Sequence, residues 1–152
     1  MDDFSAKANA TNAFGLLGGS ANRIQPKKRM LSSMTPTLVL RNGKPYFAVG
    51  APGGPTIITR VFEVITNVID YGMNMQDAVT ALRFHHQWPS EEIEYEPNAI
   101  SKDAICNLTA KGWKLREYKS WDSGGMDAIL IDRAGLLQGA ADPRNGDSAI
   151  GY

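Results

Sequence analysis

The chain has 152 residues, 43% hydrophobic and 21% charged, the size and composition of one globular domain with its own core. Sixteen Lys and Arg balance 16 Asp and Glu, so no net charge is left to hold nucleic acid or a membrane surface. The single cysteine excludes an internal disulfide framework and a Cys-rich metal site, and no apolar run approaches the roughly 20 residues that span a bilayer.

Residues 1–152 read as a single domain. Its first part, residues 1–29, is rich in Gly, Asn, Ala and Ser and has little periodicity. This part reads as a long loop. Phe14, Leu16 and Leu17 among glycines suit either a flap with an apolar underside or a frayed terminus. The opening, MDDFSAKANATNAFG, is acidic and lacks an apolar h-region, so it does not read as a signal peptide.

Residues 30–152 read as an α+β core. Thr37–Leu40 and Tyr46–Val49 are β-prone and flank Asn42-Gly43, a strong hairpin signal. The segment PTIITRVFEVITNVIDYG then reads as a helix. Ile57, Val61, Val64 and Val68 form one apolar stripe, and Ile58, Phe62, Ile65 and Ile69 an adjacent one, which predicts a wide buried face. Many of these residues are β-branched and poor helix formers, so packing must hold the helix. Pro55 suits its first turn and Gly72 its end.

Asn74 is placed to cap a second helix running through MQDAVTALRFHHQW. EEIEYEP reads as a strand, and SKDAICNLTAKGW as a third helix opened by Ser101 and closed near Gly112. KLREYK and MDAILIDRAGLLQGAADPR read as strands, the latter turning at Arg133-Ala134-Gly135. Helices between antiparallel hairpins predict an α+β layered fold rather than a doubly wound parallel sheet.

Gly53 and Gly54 follow a strand and precede a helix. Glycine amides at that point can approach a ligand and stabilise charge on a carbonyl oxygen, with the helix dipole behind them. A tight turn needing glycine for geometry alone has the same signature, and no Gly-Lys-Ser/Thr follows to make a phosphate loop. Ser32 and Ser33 can both donate to a carboxylate near Lys27, Lys28 and Arg29, or belong to an ordinary Ser-rich loop. Asp2 and Asp3 suit an ammonium group or a solvated acidic terminus.

WDSGGM matches the surroundings of a trypsin-like nucleophile, with His85 and His86 upstream. However, the chain is too short for two six-stranded barrels and lacks their disulfides, so Ser123-Gly124-Gly125 reads as a turn. The two histidines read as a helix end rather than a metal site, and Cys106 as a small core residue. No metal or cofactor is expected.

MDDFS, KRMLSSMTPT, VGAPGGPTIIT, NVIDYGMN, RFHHQW and the closing GAADPR…GY occur in one order along the chain. Together they resemble γ-glutamyltranspeptidase, over the C-terminal part of that enzyme's small subunit. The resemblance implies part of a four-layer αββα N-terminal-nucleophile hydrolase sandwich. It also implies cleavage of γ-glutamyl bonds, glutathione being the usual donor. A threonine ester forms and is passed to water or to an amino acid or peptide acceptor.

By the same resemblance, Asp3 holds the substrate α-ammonium. Ser32 and Ser33 hydrogen-bond its α-carboxylate, and the amides of Gly53 and Gly54 form the oxyanion hole. Phe14 stands in the lid loop where many members have tyrosine, and Leu82 stands where members usually have proline. The threonine nucleophile belongs upstream of MDDFS, and a large subunit supplies half of the sandwich. Residues 1–152 alone are therefore expected to be catalytically silent. They should need the large subunit and upstream segment as partners, or else self-associate through the exposed sheet. Family precedent places the parent in the periplasm or outside the cell. Two alternatives stay open: a relative acting on glutaryl-lactam or poly-γ-glutamate substrates, and a non-catalytic binding or remnant chain.

Overall fold

A computed structural model describes residues 3–118 and 125–151. Its elements in chain order are β1 (Ala10–Thr11), β2 (Leu17–Gly18), β3 (Thr37–Arg41), β4 (Lys44–Gly50), α1 (Ile57–Ile69) and α2 (Met75–Thr80). There follow β5 (Phe84–His86), β6 (Glu92–Tyr95), α3 (Lys102–Ala110), β7 (Lys114–Glu117), β8 (Asp127–Ile131) and β9 (Leu137–Ala141). The main sheet is antiparallel in the order β3-β4-β8-β9, and β5-β6-β7 form a smaller sheet. The α+β class holds, with one local exception. β6 and β7 run parallel, with α3 as the crossover that a parallel pair requires.

Asn42 and Gly43 turn the β3–β4 hairpin at φ of 53° and 77°. Both central residues therefore have the positive φ of the tight turn that this dipeptide favours. Pleating then sends Phe47 and Val49 of β4, Ala128 and Leu130 of β8, and Ala140 of β9 to one face. Ile57, Val61, Val64 and Val68 of α1, with Met75, Ala78 and Val79 of α2, close over that face as the core.

Only one of the two apolar stripes of α1 is covered within these residues. Ile58, Phe62 and Ile69 of the second stripe are exposed, Phe62 by 62%. The far face of the main sheet is also bare. Leu38, Ala48, Ile129 and Gly139 stand in register across its four strands, and all four are exposed. A shallow hollow of about 770 Å³ lies over this row.

Two further expectations need correcting. The second helix stops at Thr80 instead of continuing through RFHHQW. Asn74 caps it as expected, accepting from the Asp77 amide at 2.8 Å. At Ala81, however, ψ turns to 144° and the chain enters β5, whose Phe84, His85 and His86 pair with Tyr95, Glu94 and Ile93. Cross-strand pairing here overrides a helical pattern. Cys106 is exposed rather than in a core, because α3 buries none of its residues within this chain. Ser101 does cap α3, accepting from the Ala104 amide at 3.2 Å. Among the described residues no helix is long and apolar enough to cross a membrane.

Candidate functional site

The turn Pro52-Gly53-Gly54-Pro55-Thr56 carries the chain from β4 into α1. Gly53 has φ 133° and ψ 18°, and Gly54 has φ 56°, backbone angles that suit glycine. Space imposes the same choice at Gly53, where a Cβ would lie 2.7 Å from both Arg60 Nη1 and Thr56 Oγ1. Both groups grip the turn from below. Arg60 Nη1 donates to the Pro52 carbonyl at 2.9 Å, and Thr56 Oγ1 to the Gly53 carbonyl at 2.9 Å. The Thr56 amide donates to the same Gly53 carbonyl at 3.2 Å. Among the described residues, neither the Gly53 nor the Gly54 amide donates to a loop or turn carbonyl.

Phe14 lies over this turn. Its ring is close enough that a Cβ on Gly54 would sit 3.1 Å from Cδ1. The segment that carries it is a small hairpin, β1 paired with β2, and not a frayed end. Asn12 holds the tip by accepting from the Phe14 and Leu16 amides at 3.0 Å each. Between this lid and the small sheet lies a cavity of about 380 Å³, lined by Phe14, Thr56, His85, Gln87, Glu92 and Glu94 among others.

Asp3 and the Ser32–Ser33 segment are joined through Asn22. Its Nδ2 donates to the Asp3 carbonyl at 2.6 Å, and its Oδ1 accepts from the Leu31 amide at 2.9 Å. Ser32 is exposed and accepts from the Met34 amide at 3.2 Å, while Ser33 is half-buried. Lys27 and Arg29 are exposed nearby, and Lys28 is half-buried. Among the described residues no hydrogen bond joins the serine pair to Gly53–Gly54. Asp2, Ser123 and Gly124 lie outside the described residues.

Beneath the turn, the two motifs RFHHQW and GAADPR meet in a buried ionic cluster. Arg83 pairs with Asp142, and Arg144 reaches Glu96 through two bonds of 2.7 Å each and Asp142 at 3.0 Å. The backbone amide of Arg83 also donates to Glu96 at 2.8 Å. Burial pushes the Asp142 carboxyl up, but the Arg144 amide and the Arg83 guanidinium outweigh it, and the net shift is down. Burial, with Arg83 nearby, pulls the Arg60 guanidinium down to about 10.

Glu63, also on α1, is pushed by burial up to about 7, against a 2.9 Å hydrogen bond from the Phe84 amide. Its other carboxylate oxygen is buried with no hydrogen-bond partner. His85 is buried with Nδ1 2.8 Å from Thr59 Oγ1, and burial lowers its pKa. His86 instead packs edge-on against Trp113. Among the described residues no three His, Cys, Asp or Glu gather to hold a metal.

Sequence reasoning missed Asn22, Arg60, Thr56 and the ionic cluster. One signal was available: Arg60 stands among Ile57, Val61 and Val64 on the buried side of an otherwise apolar helix.

The antiparallel sheet with helices on one face, a bare opposite face and a glycine turn feeding the first helix is shared with solved gamma-glutamyltranspeptidases, which places it in an N-terminal-nucleophile hydrolase sandwich. A mutant of Helicobacter pylori gamma-glutamyltranspeptidase has this fold, with TM-score 0.88 and 46% identity, over 95% of this chain and 78% of that one. The chain belongs to the gamma-glutamyltranspeptidase family, which matches residues 1–152. It is 46% identical over its whole length to the glutathione hydrolase proenzyme of Escherichia coli K12. It is 44% identical over 95% of its length to the glutathione hydrolase proenzyme of Pseudomonas aeruginosa. The chain spans 26% of the length of each of these two relatives.

Proposed function

We propose that residues 1–152 are the C-terminal part of the small subunit of a γ-glutamyltranspeptidase. The assembled enzyme would cleave γ-glutamyl bonds of glutathione and related donors. The observation that carries this reading is the clamped glycine turn, in a chain that matches the family from end to end.

In this reading the γ-carbonyl oxygen of the donor sits against the amides of Gly53 and Gly54. Those amides stabilise it as it becomes an oxyanion. The carboxylate of Asp3 takes the donor's α-ammonium, and the hydroxyls of Ser32 and Ser33 take its α-carboxylate. The Asn22 bridge supports this division of labour, because it ties the Asp3 backbone to the residue preceding Ser32. Phe14 covers the pocket as an apolar lid. In this scheme the nucleophile is a threonine upstream of residues 1–152. Its oxygen attacks the carbonyl carbon, the donor amine leaves, and water or an acceptor amine then cleaves the ester. No cofactor enters this scheme.

The bare sheet face supports a complementary subunit. Leu38, Leu40, Ile129 and Leu137 expose more apolar surface than a finished sandwich would leave to water. The periplasm or extracellular space is the proposed compartment.

Turnover of a γ-glutamyl anilide tests the reading. Residues 1–152 alone are expected to be silent, and the same chain produced with its upstream coding region active. Silence in both samples would overturn the enzymatic reading. Turnover by residues 1–152 alone, surviving repurification, would show that the nucleophile lies within them.

A further inference from the structure

Arg60 is 1% exposed, on the covered side of α1. A buried guanidinium is costly to desolvate, so its placement asks what it holds. Its Nη1 donates at 2.9 Å to the Pro52 carbonyl, directly below Gly53.

A trans peptide unit is planar, and its C=O and N–H point in opposite directions. The Pro52 carbonyl and the Gly53 amide belong to one such unit. The Gly53 carbonyl and the Gly54 amide belong to the next. Arg60 bonds the first carbonyl and Thr56 the second, at 2.9 Å each. Fixing both oxygens from the N-cap and first turn of α1 fixes the direction of both N–H groups. Two adjacent glycines would otherwise be the freest residues in the segment.

We propose that Arg60, with Thr56, is a positioning residue for the amides that meet the oxyanion. Arg60 acts on the transition state through the Pro52–Gly53 peptide and does not touch the substrate. The inference rests on the functional reading above.

Arginine suits the task because its donors form a rigid planar fork that keeps its charge when buried. Four charges near Arg60 act on it, Asp142 and Glu96 favouring its charged form and Arg83 and Arg144 opposing it.

The test uses the assembled enzyme, with rates expressed per folded active site from a burst titration. In Arg60→Met, kcat for a γ-glutamyl anilide is expected to fall about 10²-fold, as when an oxyanion donor is lost. KM should stay within roughly twofold, because the amides contribute most when the oxygen is charged. Arg60→Lys restores one N–H donor and should recover at least about tenfold of that loss. Thr56→Val, which frees the second carbonyl, should lower kcat about tenfold with the same KM pattern.

Unchanged kcat per site in Arg60→Met and Thr56→Val, with only the melting temperature lowered, would show that Arg60 serves the fold alone. If Arg60→Met does not fold, Thr56→Val decides, and wild-type kcat in that variant overturns the inference. Wild-type enzyme that assembles but turns over no γ-glutamyl anilide would overturn the functional reading, and this inference with it.

Discussion

The side-chain amide of Asn22 donates to the carbonyl of Asp3 at 2.6 Å, across 19 residues of chain. The same side chain accepts from the Leu31 amide at 2.9 Å. One residue thus sets the spacing of two segments that, in the proposed scheme, hold opposite charges of one substrate. A side-chain hydrogen bond contributes about 0.5–1.5 kcal/mol net. Asn22→Ala in the assembled enzyme should therefore raise KM for a γ-glutamyl donor by about tenfold, while kcat changes much less. An unaltered KM in steady-state kinetics would detach Asn22 from substrate binding.

Asp3 separates γ-glutamyl from glutaryl substrates, since only the former carry an ammonium group. Asp3→Ala is expected to depress kcat/KM for γ-glutamyl anilide by about 10²-fold or more, as an unpaired charge is left on the donor. Turnover of a glutaryl anilide should change little. Equal losses on both substrates would remove the ammonium role from Asp3.

Glu63 predicts a pH effect on stability. Burial raises its folded pKa from the ordinary value of 4.5 to about 7. Between those values the folded state holds a proton that the unfolded state has lost. Stability therefore falls as pH rises through this window, and the full cost is present above the folded value. Glu63→Gln keeps an acceptor for the Phe84 amide and removes the charge. It should stabilise the complete protein by roughly 1–3 kcal/mol at pH 8 and by much less at pH 4. Denaturant unfolding at the two pH values measures this difference, and equal shifts at both would rule it out.

The row Leu38, Ala48, Ile129 and Gly139 predicts how residues 1–152 behave without a partner. Sedimentation should show concentration-dependent self-association, and Ile129→Lys, with Ile129 now 52% exposed, should weaken it. A clean monomer with cooperative melting would argue against a missing layer on this face.

Local chemistry was legible where it decides structure by itself. Asn42-Gly43 demands its turn, and the stripe from Ile57 to Val68 demands one covered face. The caps at Asn74 and Ser101 formed for the same reason. The helix extended through RFHHQW failed because β5 is held by its partner β6 and by the Arg83 amide bond to Glu96, neither visible in a single-chain pattern. The second stripe of α1 and Cys106 failed differently, since the sequence marks a residue as apolar without showing which of its neighbours are present. The glycine pair was legible as a turn that could face a ligand. Its clamp was not, because the hydrogen bond from Arg60 to the Pro52 carbonyl is made only once the turn has folded back over α1. Asn22 reads as an ordinary loop residue until Asp3 and Leu31 are placed on either side of it.

The ionic cluster beneath the glycine turn also orders events in time. Pro52 to Arg60 emerge from the ribosome well before Asp142 and Arg144, which complete the charges around Arg83 and Glu96. During synthesis the turn and its two clamps, Thr56 and Arg60, come first, and Asp142, which favours the charge on Arg60, arrives almost last. A nascent chain halted before Asp142 would carry Thr56 and Arg60 and still leave Arg83 without its carboxylate partner.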